Sequence, residues 1–287
     1  ANGIVSNNSS MMLNGCSLYR LNKNYYNIFG NGIYANGKYN RIYADSTTKF
    51  KNMTFGILAN GMQFLTKSMS FDSVNTGISA TLLDKSIFEV EQSTFTNIKY
   101  CGIYGFRYGK VKSKIKDNTI TIKYPYGDNN SDKAGILLFS RTNTQGGWLV
   151  KNNTINVNNA TVGIGLGLGY LDSLINNKIY FNKELPRYRG IYAYGASNAF
   201  IEKNIVRSST PTLNLENVGY FSSGLNNSRL LCNRADSLGK GIEMNAVNNF
   251  TFLTTNILNK NGEKALYYER GTVIGAQILQ GNDWQNA

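Results

Sequence analysis

A glycine followed by a large apolar residue returns along almost the whole chain. It occurs at Gly32-Ile33, Gly56-Ile57, Gly77-Ile78, Gly102-Ile103, Gly135-Ile136, Gly163-Ile164, Gly190-Ile191, Gly219-Tyr220 and Gly241-Ile242, and Ala265-Leu266 takes the same slot once more. The intervals are 24, 21, 25, 33, 28, 27, 29, 22 and 24 residues. A second marker lies between these: Asn118-Thr119-Ile120, Asn153-Thr154-Ile155, Asn177-Lys178-Ile179, Asn204-Ile205 and Asn256-Ile257. Asn tolerates the left-handed backbone of a sharp corner, and identical Asn side chains stack in hydrogen-bonded ladders. Between markers, apolar and polar residues alternate with period two, as in Thr119-Ile120-Thr121-Ile122. Strands this short cannot bury a face alone, but coils stacked on one another share a continuous apolar column. A propeller needs a period of about 40 residues, and a leucine-rich repeat needs its Leu-x-x-Leu-x-Leu signature. The pattern therefore predicts an all-β chain, a parallel β-helix of about ten or eleven coils. It fills residues 1–287 as one domain, and at ~4.8 Å per stacked strand it is a rod on the order of 50 Å long.

Composition fits that architecture and removes several chemistries. The 287 residues include 41 Asn and 29 Gly, too many for a helical protein, while 41% apolar content is too high for disorder. Charged residues make up 16%, against about 25% in an average globular chain, so polarity rests on Asn, Ser and Thr. There is no His, which excludes Ser-His-Asp triads, Cys-His pairs and His-ligated metals. Cys16, Cys101 and Cys232 lie far apart without metal-ligand spacing and are expected to be buried free thiols. No metal and no cofactor is expected. No apolar run approaches 18 residues, so no membrane span is expected. The beginning, Ala1-Asn2-Gly3, reads as a processed or excised segment. The net charge of +13 suits anionic partners, acidic glycans among them. Nucleic acid is not expected, because no recognition module accompanies the charge.

The Gly-Ile strands followed by Asn-x-x-Asn-x-Ile corners resemble the right-handed parallel β-helix of the pectate-lyase-like superfamily, from about Gly32 onward. Leu231-Cys232-Asn233, Gly241-Ile242, Ile274-Gly275-Ala276-Gln277 and Gly281-Asn282-Asp283-Trp284 resemble stretches of large type IX-exported surface proteins of Bacteroidota. The second resemblance implies one piece of a longer exported chain, secreted or at the cell surface, whose partners include that chain's other domains.

Alternation assigns the faces of the strand after each marker. The first outward position reads Tyr34, Leu58, Ser79, Tyr104, Leu137, Gly165, Tyr192, Phe221, Glu243, Tyr267; the second reads Asn36, Asn60, Thr81, Phe106, Phe139, Gly167, Tyr194, Ser223, Asn245, Glu269. The outward slots of the middle coils are thus rich in aromatics and are broken by one coil without outward side chains, Gly163-Ile164-Gly165-Leu166-Gly167. No helix pattern follows those glycines, so they are not a phosphate loop. The longest insertions, at 124–132, 183–188 and 208–216, all precede a marker Gly and should project from one corner beside this strip. Tyr104, Phe106, Phe139, Tyr192 and Tyr194 would pack on pyranose faces, and Arg107, Arg141, Arg187 and Arg189 would bind carboxylate or sulfate groups.

Two further features carry charge. Lys110, Lys112, Lys114 and Lys116 alternate on one strand face and form a candidate polyanion grip, although such rows more often guard a solvated surface. The resemblance to lyases and glycoside hydrolases raises catalysis, which would need clustered carboxylates. Glu243 and Glu269, with Asp236 nearby, are weak candidates that lie away from the aromatic strip, and Glu89 and Glu91 share a strand face next to Asp84; a solvated surface is the commoner reading of both groups. The expected function is therefore a non-catalytic adhesion or glycan-binding module for a polysaccharide or anionic surface glycan. The alternatives are a polysaccharide lyase or hydrolase on acidic glycans, and a structural stalk or phage-type fibre segment.

Overall fold

The computed structural model describes the chain apart from residues 1, 21–29, 39, 46–47, 85, 111–112, 124–132, 142–145, 159, 183–186, 212–213, 263, 275–280 and 284–287. All regular structure among the described residues is β-strand, and the strands fall into three long parallel sheets of 11, 10 and 10 members. Each turn contributes one strand to each sheet in the same order, so neighbours in a sheet are one turn apart in sequence. A small fourth sheet pairs Val247–Asn248 with Val273–Ile274. The protein is an all-β parallel β-solenoid of about 9 turns, somewhat fewer than the ten or eleven coils read from the Gly-Ile spacing.

The Gly-Ile marker opens the strand that each turn gives to the first sheet. Ile33, Ile57, Ile78, Ile103, Ile136, Ile164 and Ile191 pair in register, followed by Tyr220, Ile242 and Leu266. All but the last are buried, and each fully buried aliphatic side chain contributes roughly 1.5–3 kcal/mol. The glycine is required by space. A Cβ at Gly102, Gly163 or Gly190 would lie 2.6–2.7 Å from the next turn's glycine carbonyl and within 2.8 Å of a third-sheet core side chain (Ile120, Ile179 or Val206). The third sheet's inner column starts as three parallel rings, Phe50 on Phe71 at 4.8 Å and Phe71 on Phe95 at 4.6 Å, and continues as Ile120, Ile155, Ile179 and Val206.

The corner between the second and third sheets is held by asparagine. Asn118, Asn153, Asn177, Asn204, Asn233 and Asn256 are buried one above the other, with Asn282 beyond them. Each Nδ2 donates to the next Oδ1 at 2.9–3.1 Å. Each Nδ2 also donates to a second-sheet carbonyl one turn back, such as Val150 O from Asn177 at 2.9 Å. These Asn are not the left-handed residues that the sequence suggested. The positive φ falls one residue earlier, at Asp117, Asn152, Asn176, Lys203, Cys232 and Thr255, all between 53° and 57°. The ladder Asn is chosen for its amide, and the preceding residue makes the bend.

The long insertions at 124–132 and 208–216 do enter at a single corner, between a third-sheet strand and the next first-sheet strand, and so does 183–188. Residues 124–132, 183–186 and 212–213 lie outside the described residues. Tyr188, expected in a loop, instead begins the strand Tyr188–Tyr194 and is buried against Phe181, ring on ring at 3.9 Å. The thiols also differ from expectation, since Cys101 alone is buried while Cys16 is partly exposed and Cys232 exposed. Burial pushes the Cys101 thiol up to about 12.

Arg107 requires a second correction. The alternation that turns Phe106 outward turns Arg107 inward, where it is 1% exposed. Its guanidinium donates to Ser140 Oγ at 2.8 Å and lies over the Trp148 ring at 5.2 Å. The nearby Asp172 carboxylate, also buried, accepts the Trp148 backbone N–H at 2.9 Å. Burial raises the Asp172 carboxyl to about 6, against the pull of that hydrogen bond and of Arg107. An acid held above its unfolded value of about 3.9 adds stability that is complete below that value and is lost as pH rises through about 6. Urea unfolding of the native chain and of Asp172→Asn should therefore diverge by about 2–3 kcal/mol between pH 7 and pH 4, the native chain gaining on the variant as pH falls. Parallel pH profiles for the two would show that the carboxyl is not titrating there.

Candidate functional site

Three columns of the first sheet build a groove of about 810 Å³ on the outer face. The registers confirm the two outward columns: Ser79, Tyr104, Leu137, Gly165 and Tyr192 pair in succession, as do Thr81, Phe106, Phe139, Gly167 and Tyr194. A third column lies before the glycine marker and runs Phe55, Thr76, Cys101, Ala134, Val162 and Arg189. In the third column the large Phe55 and Arg189 stand at the ends with the small Thr76, Cys101 and Ala134 between them, and in the first two Gly165 and Gly167 interrupt the large side chains, which opens the dent. The glycines deepen it. A Cβ at Gly167 would lie 2.3 Å from Phe139 Cδ1 and one at Gly165 2.6 Å from Leu137 Cδ1, so these side chains lean across the glycine turn and form an apolar floor.

Tyr104, Phe139, Arg189, Tyr192 and Tyr194 line this groove. Reading only the positions after each glycine missed Phe55 and Tyr100, which also line it; a large aromatic just before or at the entry to a Gly strand was the available signal. Phe106 and Arg141 are set apart and gather around Tyr108, with ring centroids 4.8 Å apart for Phe106 and the guanidinium 5.9 Å from the ring for Arg141.

The lining is cationic at one end, where Arg187 and Arg189 stand, and among the described residues it includes no carboxylate. The Arg189 guanidinium lies 3.9 Å from the Phe221 ring centre and 4.9 Å from that of Tyr192, while the two rings stack at 5.3 Å. Burial and the neighbouring Arg187 lower the Arg189 pKa, but a guanidinium stays charged at any physiological pH. Burial raises the Tyr104 phenol, so it remains a neutral donor and acceptor. Flat rings, an apolar floor and a forked cation held in place by rings can stack a sugar and bind an anionic substituent.

The other charged candidates are engaged elsewhere. Glu243 pairs with Lys240 at 2.7 Å, and Lys240 and Lys264 both lie over the Tyr267 ring, at 4.1 and 4.4 Å. Asp236 belongs to the third sheet and pairs with Arg234 at 2.6 Å, while Glu269 follows the end of the first-sheet strand Lys264–Tyr268. The Lys row does not form a bare cationic face. Glu89 and Glu91 stand directly opposite Lys114 and Lys116 in the adjoining strand, Lys114 binding Glu89 at 2.8 Å and Lys116 binding Asp117 at 3.1 Å. Lys110 is exposed, with its backbone N–H towards Asp84, and Lys112 lies outside the described residues. Cross-strand pairs of opposite charge satisfy the sheet locally and reduce attraction for a distant polyanion.

Among the described residues, no three His, Cys, Asp or Glu side chains gather in a way that could hold a metal ion. Nor, among them, is any helix long and apolar enough to cross a membrane. Compared with protein-family models, curated proteins and solved structures, the chain gives no significant match to any of the three. Fold and site together define a parallel β-solenoid with an aromatic, arginine-edged groove on its first sheet.

Proposed function

We propose that this chain is a non-catalytic glycan-binding module that holds an acidic polysaccharide in the first-sheet groove. The supporting observation is the lining itself: Phe55, Tyr100, Tyr104, Phe139, Tyr192 and Tyr194 beside Arg187 and Arg189, without a carboxylate among the described residues. Rings offer pyranose faces a stacking surface, and the arginines offer a uronate or sulfate charge-assisted bonds. Both acid catalysis of glycosidic cleavage and nucleophilic attack at a sugar need carboxylates at the bound ring, and the described residues of the groove lining supply none. On this reading the module attaches an exported bacterial surface protein to glycans, as a right-handed helix of the pectate-lyase-like kind. The buried Asn ladder and the Gly-Ile register support that kinship.

The test is titration calorimetry with uronate-containing and sulfated oligosaccharides, preceded by a glycan array. Tyr192→Ala combined with Tyr194→Ala should weaken binding by about 1–3 kcal/mol, roughly 5- to 150-fold, with the melting temperature little changed. Affinity should also fall with added salt, because the cationic end is open to solvent. Undiminished binding by a folded double variant would remove the groove from the account.

A further inference from the structure

A second recess of about 420 Å³ lies beside the groove on its N-terminal side, at the ends of the first-sheet strands. Its lining includes Asn8, Asn36 and Asn60, with Thr81, Lys38 and Leu83 around them. Asn36 and Asn60 are direct register partners, and Thr81 follows Asn60. Stacked amides elsewhere in this chain satisfy one another. Asn31 donates to Asn2, Asn152 to Asp117, Asn176 to Asn152 and Asn182 to Asn158, at 2.9–3.1 Å. In the recess they do not. Among the described residues, no side-chain hydrogen bond engages Asn8, Asn36 or Asn60. The recess is kept open by small residues where the first sheet turns towards the second. A Cβ at Gly37 would lie 3.1 Å from the Asn8 backbone, and one at Gly61, whose φ is +72°, would lie 3.0 Å from both Gly37 O and Leu83 Cδ1.

A free carboxamide presents an acceptor and two donors side by side, the pattern that a pair of neighbouring hydroxyls complements. Three such amides edge a recess whose exposed lining, Leu83 included, is mostly apolar, within the size range of small-ligand sites. Among the described residues no carboxylate or arginine lines it, and Lys38 is the charged residue of the lining. We infer that this recess is a second carbohydrate site, specific for an uncharged hexopyranose unit and read by the Asn36 and Asn60 carboxamides. The recess adjoins the groove: Thr81 lines the recess and Ser79 lines the groove, two residues or ~7 Å apart on the strand Thr76–Leu82. A heteropolysaccharide bearing both acidic and neutral sugars would reach both sites. The second site does not rest on the first, because each is lined by its own residues.

The experiment records the side-chain amide signals of Asn36 and Asn60 by nuclear magnetic resonance during titration with neutral trisaccharides of gluco, manno and galacto configuration. At least one sugar should move both signals saturably. Asn36→Ala with Asn60→Ala should weaken that sugar's binding about tenfold or more, leaving the melting temperature and acidic-glycan binding unchanged. Tyr192→Ala with Tyr194→Ala should leave the neutral-sugar response intact. Silence of both amide pairs with all three sugars, or an undiminished response in a folded asparagine double variant, would overturn the assignment. Neither result would bear on the groove, which is read with acidic oligosaccharides alone.

Discussion

Asn177→Ala should lower the stability of the solenoid by about 3–5 kcal/mol, a large share of what a folded chain has to lose. The side chain is fully buried and donates to Val150 O and Asn204 Oδ1, each at 2.9 Å. Its Oδ1 accepts from both the backbone N–H and the Nδ2 of Asn153, each at 3.0 Å. Truncation therefore strands two buried donors on Asn153 as well as a carbonyl at Val150, and each unmade bond costs about 1–3 kcal/mol. Asn176→Ala next door is the control. That side chain is exposed, donates to Asn152 Oδ1 and sits at φ 54°, so its loss should cost only about 1 kcal/mol of backbone strain and surface bonding. Urea unfolding followed by circular dichroism gives both values. Hydrogen exchange adds a spatial readout, since protection should fall first at Asn153, whose N–H donates to Asn177 Oδ1, and persist at Asn204, whose N–H donates to Asn233 Oδ1. Equal losses for the two variants would mean that the ladder is not cooperative and that its amides are replaceable by water.

The contrast between residues 176 and 177 marks how far the sequence could be read. Period-two alternation and the Gly-Ile spacing specify strands and coils because side-chain direction and stacking follow directly from them. Outward columns such as Ser79, Tyr104, Leu137, Gly165 and Tyr192 could be written down in order, since parallel register preserves position within each turn. Which of two neighbouring Asn bends and which one bonds is a different matter, because Asn serves both purposes and composition does not separate them. The site was legible in part for a similar reason. Tyr192 and Tyr194 follow a glycine marker and declare their face, whereas Phe55 precedes one, at a corner where alternation has not yet begun. Charge was the least legible feature. Lys114 and Lys116 look like a free row until their strand is laid beside Glu89 and Glu91, 25 residues earlier in the chain. Arg107 likewise looks available by type, and only its parity on the strand turns it into the core.

The second large effect is expected at the glycine column. Gly163→Ala should cost about 3 kcal/mol, although a methyl group is the smallest side chain that can be added. Its Cβ would lie 2.6 Å from Gly190 O and 2.6 Å from Ile179 Cγ2. A side chain can rotate away, but the carbonyl is part of the hydrogen-bonded ladder between Val162–Gly167 and Tyr188–Tyr194 and cannot yield without opening it. Two comparisons separate these causes. Adding Ile179→Ala removes the side-chain clash but not the carbonyl, so the double variant should recover none of the Gly163→Ala loss and should show an added cavity cost. Gly224→Ala introduces backbone strain alone: φ is +71°, and the nearest atoms would be 3.7 Å or more away, so about 1 kcal/mol is expected. The chain itself contains the complementary case. Ala265 occupies the glycine slot in the last strand of the first sheet, where no further described strand brings a carbonyl over the methyl group. The same methyl placed at Gly241 would meet Ala265 O at 2.6 Å. Gly241→Ala should therefore destabilise like Gly163→Ala, while Ala265→Gly should change stability by no more than about 1 kcal/mol, the ordinary propensity difference between the two residues. If Ala265→Gly instead stabilised the chain by as much as Gly163→Ala weakens it, stacking of carbonyls would not be what keeps this column free of side chains.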